Sequence, residues 1–201
     1  MKKPNFKFKF RKVDLSELDD RTLLLNLYLT QAFTLLLGIL IVFFQSRNVF
    51  DLFAWPADRS VWLWAVGFAA AAVVVDFLVS RWVPEEMMDD GGINEMIFRN
   101  RPLWHIALLS FVVAVCEELL FRGAVQHAFG PYWTSILFAA VHVRYLRHWL
   151  LTGLVFSISY GLGKLYMVTG TLWAPVAAHF AIDFIMGCFI RYRRGRSEDE
   201  S

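Results

Sequence analysis

Long apolar runs recur along this chain, at about 23–44, 61–79, 103–129, 132–143, 149–168 and 172–190. A helix that crosses a bilayer needs roughly 20 predominantly apolar residues. A chain that is mostly such runs has one way to satisfy its backbone in lipid, a bundle of helices. Composition agrees, because 57% of the 201 residues are hydrophobic and 19% charged. A soluble domain has about 45–50% apolar and about 25% charged residues. The same figures exclude a disordered chain. Two cysteines, Cys116 and Cys188, both in apolar runs, make neither a disulfide framework nor a cysteine-based zinc module. Nothing resembles a nucleic-acid-binding motif.

Turn signals separate the runs. Pro56, Pro84, Gly91-Gly92 and Pro102 mark the longer connections, and Gly170 closes the fifth run. Gly130-Pro131 breaks the third run from the short fourth, since proline cannot continue that helix. No internal repeat is visible, which argues against a transporter built from duplicated halves. With the N-terminus inside, segments 1–22, 80–102, 144–148 and 191–201 carry 16 of the 20 Lys and Arg residues, while only Arg47 and Arg59 fall outside. This is the asymmetry of the positive-inside rule. It predicts an all-α, polytopic bundle of about six transmembrane helices with both termini cytoplasmic. Four stretches follow: a basic and aromatic tail (1–22), two spans with a cytoplasmic loop (23–102), a helical core (103–190) and a charged tail (191–201). In the first tail, Phe6 to Lys12 interleaves aromatics with cations. It reads as a solvated topogenic tail, with docking onto anionic lipid as the alternative.

Charge at the centre of a membrane helix is costly, so its presence there is a functional hypothesis by default. The third run carries Glu117, Glu118 and Arg122; the fourth carries His142; the sixth carries His179 and Asp183. Glu118 and Arg122 are four apart and share a helix face. Glu117 lies about 100° around the helix from Glu118 and escapes that pairing. His179 and Asp183 share a face, as do Phe138 and His142. This set suits water-activating hydrolysis: a free carboxylate as general base, with two imidazoles to hold a metal or hydrogen-bond an oxyanion. Ser110 has no nucleophile elbow around it, and Cys116 points away from the Glu117 face. Lys164 lies about one turn from the outer end of its run and can snorkel to the headgroups.

With these residues in order, the sequence resembles the CPBP family of intramembrane proteases, also called the Abi or CAAX-protease and bacteriocin-processing family. Its EExxxR motif matches Glu117, Glu118 and Arg122; FxxxH matches Phe138 and His142; HxxxN or HxxxD matches His179 and Asp183. The segment Thr169 to Pro175 ahead of His179 is also of the family type. The resemblance covers about 103–190. It implies an integral membrane endopeptidase in a prokaryotic plasma membrane, with its site in a cavity open to the cytoplasm. Glu117 would activate water. His142, His179 and Asp183 would support the water or the oxyanion, with Glu118, Arg122 and Phe138 behind them. Family members trim prenylated CAAX proteins, and prokaryotic relatives are linked to bacteriocin or pheromone maturation and self-immunity. The CAAX-trimming branch has asparagine where Asp183 stands. An ionised aspartate cannot donate to an oxyanion, so Asp183 would be protonated, orient His179 or bind a metal.

The cofactor is either one divalent ion such as zinc, held by Glu117, His142 and His179, or none. The partners implied are membrane lipid and a membrane-associated peptide or protein substrate, not nucleic acid. A non-catalytic immunity factor or scaffold, with the polar network kept for packing, is the alternative function. A proton-coupled transporter is a weaker one.

Overall fold

The computed structural model describes residues 19–84, 87 and 92–198, with 193–198 described by their helical backbone. The Phe6–Lys12 stretch lies outside the described residues. The described residues form eight α-helices, in chain order α1 (Asp20–Phe44), α2 (Val49–Leu52), α3 (Ser60–Trp82), α4 (Ile93–Phe98), α5 (Leu103–Glu118), α6 (Gln126–Val141), α7 (Trp149–Thr169) and α8 (Trp173–Glu198). A π-helical segment, Leu119–Val125, joins α5 to α6, and a 3-10 turn, Val143–Arg147, joins α6 to α7. The described residues form no strand.

Among the described residues five helices are long and apolar enough to cross a membrane: α1, α3, the continuous rod Leu103–Val141, α7 and the first 20 residues of α8. The chain is an integral membrane protein. The 39-residue rod is longer than any bilayer requires, and it is not straight. Gly130 takes φ 72° and ψ 171°, non-helical values, immediately before Pro131. The backbone therefore turns where Gly-Pro predicts a break, and the rod has two arms. Counted as arms, the apolar segments number six. Positive φ at Gly130 is cheap because glycine has no Cβ. His142 lies one residue beyond the end of α6, at φ −81° and ψ 56°, instead of within a fourth span.

Packing places α5 and α3 along α8, α6 beside α7, and α1 against α5 and the π segment. At the face where α1 ends, the connecting loop lies over the start of α8. Leu172 N–H donates to Leu52 O (2.9 Å), Thr171 Oγ1 to Ala54 O (2.9 Å) and Trp173 Nε1 to Phe53 O (2.8 Å). At the opposite face, α4 packs on α8, Arg101 pairs with Asp20, and Tyr28 and His105 share a 3.1 Å hydrogen bond. The apolar core has three parts, and two of them, around Leu119 and around Phe121 and Phe138, include the π segment.

Candidate active site

The π segment is the local feature around which the site is built. A π turn adds a residue to a helical turn and weakens its hydrogen bonding, and such turns concentrate at functional sites. Here two side chains just past the end of α1 engage two of its carbonyls. Gln45 Nε2 donates to Ala124 O at 3.0 Å, and Arg47 Nη1 donates to Gly123 O at 2.7 Å. The segment also depends on close backbone approach. A Cβ at Gly38 of α1 would stand 3.2 Å from the backbone N and Cα of Leu120. Arg47 reads from sequence as an outer-loop charge; in the fold it clamps the π segment.

Glu118 is the last residue of α5 and Arg122 lies in the π segment; both are 0% exposed. Arg122 Nε donates to Glu118 Oε2 at 2.9 Å. The second carboxylate oxygen, Glu118 Oε1, accepts from His179 Nδ1 of α8 at 2.8 Å. Arg122 Nη2 donates to Ser159 Oγ of α7 at 3.0 Å, and its guanidinium stands 5.5 Å from the centre of the Phe138 ring. One buried ion pair thus ties together α5, the π segment, α6, α7 and α8. Burying such a pair is tolerable only when its remaining donors and acceptors are also engaged, and most are. Arg122 Nη1 is the one guanidinium nitrogen with no protein partner among the described residues.

Glu117 stands apart from that network, as its place on the helix predicts. Its Oε1 accepts from Gln31 Nε2 of α1 at 3.2 Å. His142, His179 and Asp183 lie within electrostatic reach of its carboxyl. His142 has its Nδ1 2.7 Å from Phe138 O, and its ring lies 4.6 Å from that of Phe138. A carbonyl only accepts, so Nδ1 carries the proton and Nε2 is the nitrogen available to water or substrate. On its other face the His142 ring stacks on Tyr145, 5.8 Å away at an interplanar angle of 5°. The Tyr145 hydroxyl accepts from Arg144 Nη2 at 2.7 Å, and Asn94 Nδ2 of α4 lies 3.3 Å from it.

Asp183 Oδ2 is 3.5 Å from His179 Nε2, too long for a good hydrogen bond, and its side chain is about one-third exposed. The group that holds His179 in orientation is therefore Glu118, through Nδ1. All seven residues singled out in the sequence fall in one region, but Gln31 and Ser159 join it without having been singled out. Both are polar residues inside apolar runs. They carry no charge, which is why a search for costly buried charge passes over them.

Zinc or another divalent ion would need at least three converging donors. Among the described residues no group of three His, Cys, Asp or Glu side chains could hold a metal ion. The set Glu117, His142 and His179 is not assembled as ligands. The residues present do not fit a metal.

The Rce1-like family, described as type II CAAX prenyl endopeptidase, matches residues 99–185, the stretch that carries every one of the three motifs. A protein of Bacillus subtilis (strain 168), uncharacterized protein YpbD, is 41% identical over 157 residues, 78% of this chain and 82% of that one. The chain belongs to the CPBP (CAAX protease) family. As a CPBP protein it carries EExxxR across the α5–π junction, FxxxH at the end of α6 and HxxxD within α8. No solved structure matches it.

Proposed function

We propose that this CPBP protein is an intramembrane endopeptidase that hydrolyses a membrane-associated peptide or protein with water activated by Glu117. What supports this reading is that Glu117 is the one carboxylate of the motif left outside the Glu118–Arg122–His179 network and held by a neutral amide. It can gain and lose a proton without breaking an ion pair on which the bundle depends. Glu118 cannot.

The step balances simply. Water attacks the scissile carbonyl carbon and Glu117 takes its proton. His142 Nε2 hydrogen-bonds the water, or the oxyanion once protonated. The tetrahedral intermediate then collapses and the proton on Glu117 passes to the leaving amine. General-base action of this kind contributes about 10²–10⁴-fold. Glu118 and Arg122 position His179, with Asp183 3.5 Å from its Nε2. The basic-loop asymmetry favours cytoplasmic termini, with the site served from the cytoplasm.

The test compares membrane-fraction peptides by mass spectrometry from cells with wild type or Glu117→Gln at matched protein levels. A fragment made only by the wild type is expected, and it names the substrate and its cut. Equal fragments from both would remove Glu117 as the base. No fragment from either would favour an immunity or scaffold role.

A further inference from the structure

His142 closes the FxxxH motif, yet it stands past Val141, the last residue of α6, with φ −81° and ψ 56°. A helix therefore does not fix the direction of its side chain. The one hydrogen bond on its ring, from Nδ1 to Phe138 O at 2.7 Å, does not fix the ring plane either. A carbonyl oxygen accepts over a broad range of directions, so the imidazole could swing about that bond and carry Nε2 with it. Something further must hold the ring.

Tyr145 has the position and the anchorage to do so. It belongs to the 3-10 turn that begins at Val143, and its N–H donates to His142 O at 2.9 Å. In 3-10 geometry residues three apart eclipse one another, which brings the two rings together. They lie 5.8 Å apart at an interplanar angle of 5°, within the range of an offset stack. Tyr145 is buried and is itself held from two other elements. Its carbonyl accepts from Thr152 Oγ1 in the first turn of α7 at 2.7 Å. Its hydroxyl accepts from Arg144 Nη2 at 2.7 Å and from Asn94 Nδ2 of α4 at 3.3 Å, and Arg144 Nη2 also reaches Asn94 Oδ1 at 3.2 Å. The hydroxyl is thus occupied with anchoring, and the face of the ring is what His142 meets. Neither Tyr145 nor Asn94 belongs to the three motifs.

We propose that Tyr145 is a positioning residue for the reaction: its ring holds the His142 imidazole so that Nδ1 stays on Phe138 O and Nε2 stays available to the water or the oxyanion. The role rests on the protease reading of the site, because only there does Nε2 have a reaction to serve.

The test uses the full chain in detergent micelles, with its histidines labelled with nitrogen-15 and its spectra recorded above about pH 7.5, where an ordinary imidazole is neutral. The His142 signals are those missing from His142→Gln. Wild type is expected to show one tautomer, with the proton on Nδ1. Tyr145→Leu removes the ring and should show the proton shared between the two nitrogens. Tyr145→Phe keeps the ring and should keep the wild-type tautomer. In cells at matched protein levels, Tyr145→Leu should lower the yield of the Glu117-dependent fragment about fivefold, the effect of one aromatic stack, and Tyr145→Phe should restore most of it. An unchanged tautomer in Tyr145→Leu would overturn the proposal, as would an equal loss of fragment in the Leu and Phe variants. A wild type that makes no fragment would remove the protease reading, and the tautomer would then decide by itself whether Tyr145 holds His142. If Tyr145→Leu does not accumulate, Tyr145→Met, which fills the space without a ring, takes its place with the same readouts.

Discussion

His179 Nδ1 and Glu118 Oε1 lie 2.8 Å apart although 61 positions separate them in the chain, and the same carboxylate holds Arg122 through its other oxygen. Glu118 is thus the junction between a motif on α5 and a motif on α8. Its full burial means that neither partner can be replaced by water without cost. The two motifs are consequently one structural unit, with Glu117 beside it.

That unit predicts a strong imbalance between single and double substitutions. Arg122→Met or Glu118→Gln alone should destabilise the bundle by about 3–5 kcal/mol, because each leaves a buried charge uncompensated. Glu118→Gln combined with Arg122→Met should cost less than the sum of its parts. Equilibrium unfolding in detergent measures all three, and strict additivity would show that the pair is not coupled.

Gln31 offers a test of the site that leaves the buried ion pair intact. It donates to Glu117 from a helix outside the motif-bearing stretch. A hydrogen bond to a charged group is worth about 1.5–3 kcal/mol, so Gln31→Leu should lower cleavage about tenfold or more. Its unfolding midpoint should move far less than that of Arg122→Met. A Gln31→Leu protein with wild-type turnover would mean that the 3.2 Å contact does not position Glu117.

The π segment should depend on its side-chain clamp. Arg47→Ala leaves the Gly123 carbonyl without its 2.7 Å donor. Stranding a half-buried carbonyl costs about 1–3 kcal/mol. Amide exchange across Leu119–Val125 should accelerate in this variant while that of α3 stays unchanged. Arg47→Lys, which keeps a donor at this position, should restore part of the protection. Uniform acceleration throughout the bundle would point to a general loss of stability instead.

Metal removal makes a fourth test. Since three ligating side chains do not converge among the described residues, prolonged treatment with a strong chelator is expected to leave cleavage unchanged. Loss of activity that returns only on adding zinc would contradict the donor geometry around Glu117, His142 and His179.

Hydropathy alone is enough to see the spans, the break at Gly130-Pro131 and the stop at Gly170. Chain length in lipid and the conformational limits of glycine and proline are local properties. The Glu118–Arg122 pairing and the exclusion of Glu117 from it are also local, since both follow from the angle between neighbouring residues on a helix. Tertiary structure decided the rest. It gave His179 to Glu118 instead of to Asp183, its neighbour one turn away. It brought Gln31 to Glu117 across 86 positions, and it left His142 just past the end of α6 with Nδ1 spent on a backbone carbonyl. It also kept the candidate metal ligands from converging. None of these can be read along the chain, because each is set by how far helices approach and turn against one another. Here that depends on small residues such as Gly38 and on a π turn held in place by Gln45 and Arg47.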